Sequence, residues 1–195
     1  VSGKPQFDDN MVINAAMGVF WRRGFVASSM DELTTAMGLS RSSLYKRFRD
    51  KGGLYQEVLA TYTDRVLRRM GDVHADSRRA QLEAMLLEFV REDVDTAKPA
   101  GCMLARACAE MMDLPESGQA VALEGLAGQR AILREILSAA AANGELRSTA
   151  DIDALAWHFL GVLQAIRNLP QAGATAADLR KMIAAAMTAW PQEKG

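Results

Sequence analysis

Apolar residues recur along this chain at three- and four-residue spacing almost throughout. Nowhere is there the strict alternation of a strand or an Asn-Gly or Asp-Gly hairpin signal. The pattern predicts helices only. Val12, Ala16, Val19 and Phe20 share one face of a first helix over 8–23, which Gly24 ends. Ser29 and Glu32 stand at capping-box spacing, so a second helix begins there, carries Leu33, Ala36 and Met37, and stops at Gly38. Ser40 is the N-cap of a third, on which Leu44 and Phe48 face inward. A fourth begins near Asp50 and runs through Leu54, Val58, Leu59, Tyr62 and Val66 to Met70, with Gly71 as its stop.

Five more helices follow with short connections. The first covers 78–96, with Leu82, Met85, Leu86, Phe89 and Val90 on one side, and ends at Lys98-Pro99. The next two cover 101–112 and 117–143. Asp151 caps a helix to Leu169, and Thr175 caps the last, which reaches Trp190 before Pro191. The expectation is an all-α chain of nine helices without repeats: a helix-turn-helix domain over 1–52 and a helical domain over 53–195, with the fourth helix as the connecting element. The last two helices each carry a broad apolar stripe. One is Leu155, Phe159, Val162, Leu163 and Ile166; the other is Leu179, Met182, Ile183, Ala186, Met187 and Trp190. Such stripes fit two readings, packing onto their own domain or against a second subunit.

Charge changes the picture at one end. The net value of −1 conceals a polarity, because residues 1–70 hold eleven Lys or Arg against seven Asp or Glu, while the remainder is net acidic. Five cations and one anion fall within 40–51. With Leu44 and Phe48 inward, that third helix presents Arg41, Ser42, Ser43, Tyr45, Lys46 and Arg47 outward, which are side chains suited to phosphates and base edges. Arg41, in the first turn, is the candidate for bidentate contact with a guanine. Because one short recognition helix covers few base pairs, specific binding favours a two-fold dimer on a double-stranded DNA operator.

Phe20, Gly24-Phe25, Ser28-Ser29-Met30, Gly38-Leu39-Ser40, Leu44-Tyr45, Phe48, Lys51 and Leu54 stand in the order and spacing of the N-terminal domain of TetR-type bacterial transcriptional regulators, which the chain resembles. The likeness is close over the first third and extends to the rest in length and helicity. It departs at Ser42, where the family often has Gly, and at Gly52, where an acidic residue is common. Gly52 weakens the start of its helix by roughly 0.5–1 kcal/mol. The resemblance implies a nine-helix TetR-like fold with a C-terminal ligand-binding and dimerisation domain, an intersubunit four-helix bundle from the last two helices, and repression as the activity. It also implies that Tyr45 contacts a phosphate through its hydroxyl. Lys51 is implied to bind a phosphate at a helix N-terminus, and Ser28 or Ser29 to do similar work while capping the second helix.

For an effector, Met85, Phe89, Met103, Met111, Trp157, His158 and Phe159 are candidate pocket residues, since eleven methionines and the aromatics suit an adaptable apolar cavity. The same residues also read as ordinary core. Cys102 follows Gly101 in a first helical turn, where the helix N-terminus favours a thiolate and reaction with electrophiles; it equally reads as an inert buried thiol. The Gly-Cys-x-Leu start and Glu110 are similar to TetR-type regulators that include electrophile sensors.

Other classes are excluded or weak. The chain has no Gly-rich phosphate loop, no HExxH and no nucleophile elbow, so it is not expected to be an enzyme or to need a cofactor. Glu92, Asp93 and Asp95 form an acidic run without His spacing, read as hydrated surface, not as a metal site. Two cysteines, no apolar run near roughly 20 residues and no leader-like start point to a cytoplasmic protein without disulfides or a membrane span. The alternative function is a constitutive DNA-binding protein whose C-terminal helices serve only to dimerise.

Overall fold

The computed structural model describes residues 8–91 and 101–191. Helices, in order, are α1 (Asp9–Arg23), α2 (Met30–Met37), α3 (Arg41–Phe48), α4 (Lys51–Gly71), α5 (Arg78–Glu88), α6 (Met103–Ala109), α7 (Glu116–Ala142), α8 (Ile152–Asn168) and α9 (Ala176–Ala186). Short 3-10 turns follow α6, α8 and α9 at Met111–Asp113, Leu169–Ala172 and Met187–Ala189. No strand occurs among the described residues.

The helix ends follow local chemistry. Asp8, Ser29, Ser40, Ser77, Asp151 and Thr175 each accept a backbone amide of the first turn of the helix they cap. Ser29 and Glu32 close the expected capping box, and Gly38 adopts φ 64°, ψ 27°, which lets its amide reach Thr34 and Thr35 carbonyls. Two helices end earlier than their periodicity implied. α5 stops at Glu88, where Phe89 closes it with a tight bond to Leu86, so the expected extension to 96 fails at Phe89; Glu92, Asp93 and Asp95 lie outside the described residues. Phe89 is instead committed to a tertiary contact, with the guanidiniums of Arg69 and Arg167 over its ring at 4.8 and 5.1 Å. α9 tightens to 3-10 after Ala186.

Two compact units emerge. One contains the chain up to Arg65 together with Met103–Gly125; the other contains Val66–Cys102 and the chain from Leu126 onward. The first unit packs Val12, Ala16, Phe20, Leu33, Leu44, Phe48, Leu54 and Tyr55 into one core. Tyr55 meets Phe20 and Phe25 edge-on, each at 5.0 Å. At the α3–α4 corner, Asp50 Oδ1 accepts the Gly53 amide at 2.8 Å, and a Cβ on Gly53 would stand 2.2 Å from the Phe48 carbonyl oxygen. Gly52 is confined too, since its Cβ would meet Pro115 at 3.2 Å, which accounts for an absent side chain there.

The second unit buries Met70, Leu82, Met85, Leu86, Leu133, Leu137, Phe159, Leu163, Ile166, Leu179, Ile183 and Met187. Glu145 ties it together, its carboxylate accepting the Arg78 and Arg79 amides at 3.1 Å each and its carbonyl accepting Trp190 Nε1 at 3.0 Å. Much of the α8 and α9 stripes lies here: Phe159, Leu163, Ile166, Leu179, Ile183, Ala186, Met187 and Trp190 are buried within the single chain, while Leu155, Val162 and Met182 are half-buried. The outward residues of α8 include Ala154, Trp157, His158 and Gly161.

Gly53→Ala is expected to destabilise the protein by about 1–3 kcal/mol, because the clash is with backbone and the α3–α4 corner must open to relieve it. A thermal melt of the variant beside wild type checks this, and an unchanged midpoint refutes the close approach.

Candidate nucleic-acid interface

The second helix of the turn is built to face outward. α3 is eight residues long, and its inward contribution is Leu44 and Phe48, both buried. Ser40 holds its start, the hydroxyl accepting the Ser43 amide at 3.1 Å and bonding the Ser42 and Ser43 hydroxyls at 2.9 Å each. Leu39 donates to the Thr34 carbonyl at 3.0 Å, which closes the turn from α2. What remains outside is Arg41, Ser42, Tyr45, Lys46 and Arg47, all exposed, with Ser43 half-buried beside them.

Arg41 does not float free. Asp31 on α2 accepts its Nε at 3.2 Å and its Nη2 at 2.7 Å through one oxygen, and this bond raises the Arg41 pKa above the ordinary arginine value. Both side chains are exposed, so the pair is a positioning contact and not a source of stability. The Nε edge is occupied, which leaves the outer edge with Nη1 facing away from Asp31.

Two expected contact residues have partners within the chain, one buried and one at the surface. Ser28 is 2 % exposed and its hydroxyl donates to the Gly24 carbonyl, so the capping role and any phosphate contact fall to Ser29 alone. Arg47 is held by Glu57, at 2.9 and 3.1 Å, and by Asp9 at 3.4 Å, while its guanidinium lies 4.6 Å above the Phe48 ring. It joins α3 to α4 and α1, because with Leu44 and Phe48 turned inward its position falls on the flank of the helix. Lys51, the first residue of α4, sits 4.5 Å above the Phe25 ring and donates to the Val26 carbonyl at 3.4 Å. Burial pulls its ammonium below the usual lysine range, against the opposing field of Glu110.

Glu110 was singled out in the sequence only as part of a likeness. Lying just after α6, it accepts the Phe25 amide at 2.6 Å, and a Cβ on Gly24, whose φ is +81°, would fall 1.9 Å from its Oε1. The turn after α1, which carries Phe25 and Val26 beneath Lys51, is therefore gripped by a residue 85 positions away. Asp31 and Glu110 carry no sequence signal of their own; their roles come from tertiary approach.

The expected pocket residues divide. Met85, Phe89, Cys102 and Phe159 are buried in the second unit, and Met103 is buried in the first, where Met111 is half-exposed. Trp157 and His158 do not line an interior; Trp157 is 56 % exposed with the Arg130 guanidinium 4.6 Å over its ring, and His158 is exposed beside it, because Phe159 and Leu160 take the inward positions of that turn. The Cys102 amide donates to Asn168 Oδ1 at 3.1 Å, and Cys108 is half-buried and also a free thiol. Among the described residues no group of His, Cys, Asp and Glu is placed to hold a metal ion, and no helix is long and apolar enough to cross a membrane.

The model of bacterial regulatory proteins of the tetR family matches residues 12–58, and that of the tetracyclin repressor-like C-terminal domain matches residues 78–186. This chain belongs to the TetR family. It is a helix-turn-helix transcriptional regulator with DNA as its target. Over 97% of its length it is 28% identical to the HTH-type transcriptional repressor ComR of Escherichia coli, covering 92% of that protein. Over 107 residues, 53% of this chain and 54% of the relative, it is 34% identical to the repressor BdcR of the same organism. Its fold superposes with a TM-score of 0.85 on a cysteine mutant of the TetR-family regulator CifR complexed with 26-base-pair operator DNA, at 30% identity, covering 97% of this chain and all of that one.

Glu110→Ala is expected to lose about 1–3 kcal/mol of stability by leaving the Phe25 amide without its acceptor. Denaturant titration reads the loss, and Glu110→Gln, which keeps an acceptor, restores part of it.

Proposed function

We propose that this TetR-family chain is a repressor that binds a palindromic operator as a homodimer and releases it in response to a small apolar or electrophilic molecule. In this reading residues 1–52 hold the DNA, residues 53–195 sense and dimerise, and the protein works in the cytoplasm. The observation that carries it is the outward set of Arg41, Ser42, Tyr45 and Lys46 on a capped helix whose other face is buried. Arg41 reads a guanine with the guanidinium edge that Asp31 leaves open, Ser42, Ser43 and Lys46 assist, and the Tyr45 hydroxyl, Ser29 and Lys51 hold phosphates. ComR and BdcR, both named repressors, support repression over activation.

Dimerisation uses the outward sides of the last two helices, α8 and α9. Trp157 stands exposed there beside Gly161, where a second α8 can approach closely, and the buried stripes of α8 and α9 hold this surface rigid from behind. For release, the buried set Met85, Phe89 and Phe159 favours binding of an apolar molecule. Cys102 is 3 % exposed, so its modification by an electrophile requires the surrounding core to open first.

Selection of a binding site from randomised duplexes tests the DNA role. The selected site is expected to be palindromic, with affinity falling steeply as salt rises. Arg41→Ala is expected to narrow the gap between selected and unrelated duplexes by about 1–3 kcal/mol, read by fluorescence anisotropy; unchanged selectivity removes its role. Trp157→Glu is expected to yield monomers in sedimentation velocity and to weaken operator binding, and a variant that stays dimeric moves the interface elsewhere.

A further inference from the structure

The interior of the second unit carries a polar pair that neither its packing nor DNA binding explains. Gln129, in the middle of α7, has no exposed surface. Gln164 on α8 donates through Nε2 to Gln129 Oε1 at 2.9 Å, and that is where the pairing ends, because Gln129 Nε2 and Gln164 Oε1 are both buried without a hydrogen-bond partner. Exchanging nitrogen and oxygen in both amides reverses the bond and again leaves one donor and one acceptor. Buried amide atoms in this condition are rare and unfavourable in a folded interior.

The next polar side chain along α8 is used elsewhere: Asn168 Nδ2 donates to the Gln164 backbone carbonyl at 2.7 Å and its Oδ1 accepts the Cys102 amide at 3.1 Å. Space lies farther along α7. Ile132 and Ile136, about one and two turns beyond Gln129, help line a cavity of about 110 Å³ whose wall is part apolar, Met70 and Ala139, and part polar, Arg78, Gln81 and Glu135.

We propose that Gln129 and Gln164 are the polar anchor of an effector site whose ligand is a small uncharged molecule with an amide edge, as in a carboxamide, lactam or urea. Its carbonyl accepts from Gln129 Nε2, its N–H donates to Gln164 Oε1, and its apolar body extends along α7 toward Ile132. Neither amide carries a charge that would pair an ion, so the anchor itself favours a neutral group. The assignment rests on the effector reading above. It also gives the ligand a grip on α8 one turn before Asn168, the residue that holds the amide immediately preceding α6.

The test uses the full chain with benzamide as probe and ethylbenzene as its apolar counterpart, read by thermal shift and by release of a selected operator. Benzamide is expected to raise the melting temperature of wild type and ethylbenzene to leave it unchanged. The double variant Gln129→Met/Gln164→Met, close in volume, is expected to melt about 2–4 °C higher than wild type without ligand, since both orphaned amide atoms are gone, and to lose the response to benzamide. Gln129→Met alone leaves both Gln164 side-chain amide atoms without a partner, so it is expected to lose the response without a gain in melting temperature. Absence of a benzamide shift in wild type, an equal shift in Gln129→Met, or a lower melting temperature of the ligand-free double variant overturns the proposal, the last because the amides then serve the fold through water. Operator release by an apolar compound acting equally on wild type and Gln129→Met overturns this site while leaving the effector reading standing. A benzamide shift abolished in the variants, without operator release, supports the site and counts against the effector reading.

Discussion

An eight-residue helix holding three cations does not persist in water by itself, since helix nucleation is unfavourable and so short a segment recovers little from propagation. α3 exists because Ser40 satisfies its first amides and because Leu44 and Phe48 are buried. That dependence determines the rest of the DNA end. With those two side chains inward, rotation of the helix is set, and Arg41, Tyr45 and Lys46 have one direction to point. The Ser29–Glu32 box, the left-handed Gly38 and the Gly53 approach to the Phe48 carbonyl serve the same end, holding the helices before and after α3 where its two anchors meet a core.

The first unit is not a continuous stretch of sequence. Met103–Gly125 returns to complete it, and Glu110 on that returning segment binds the amide of Phe25, beside the carbonyl that Lys51 contacts. The chain passes between units at Arg65, at Cys102 and at Gly125. Two of those crossings are anchored on both sides. α6 begins next to the Cys102 amide held by Asn168, and its far end leads into the Glu110 carboxylate. α4 carries Lys51 at one end and Met70, in the second core, at the other.

Much was legible in order of residues alone. Caps at Asp8, Ser29, Ser40, Asp151 and Thr175 are local chemistry, in which a side-chain oxygen two or three positions ahead of an amide closes a short ring, so helix starts follow from composition at a few positions. Apolar periodicity likewise identified the inward faces of α1 to α4 and the basic outward face of α3. The ends of α5 and α9 were less legible. Phe89 and Trp190 fit helical spacing yet are used for tertiary contacts, which local pattern does not encode.

The amino-acid sequence by itself determined that this is an all-helical chain with a capped helix-turn-helix and a cationic recognition surface, because those features depend on residues within a few positions of one another. Tertiary structure decided which of the candidates remain available. Ser28 turned inward to a carbonyl, Arg47 was paired with carboxylates on the surface, most of the α8 and α9 stripes were taken up by their own core, and Trp157 and His158 came to the surface. Asp31 beside Arg41, Glu110 on Phe25 and Gln129 against Gln164 are pairs brought together by packing over 10, 85 and 35 residues of chain. A helical period specifies the face on which a side chain lies, and what stands opposite that face is set by the packing of the other helices.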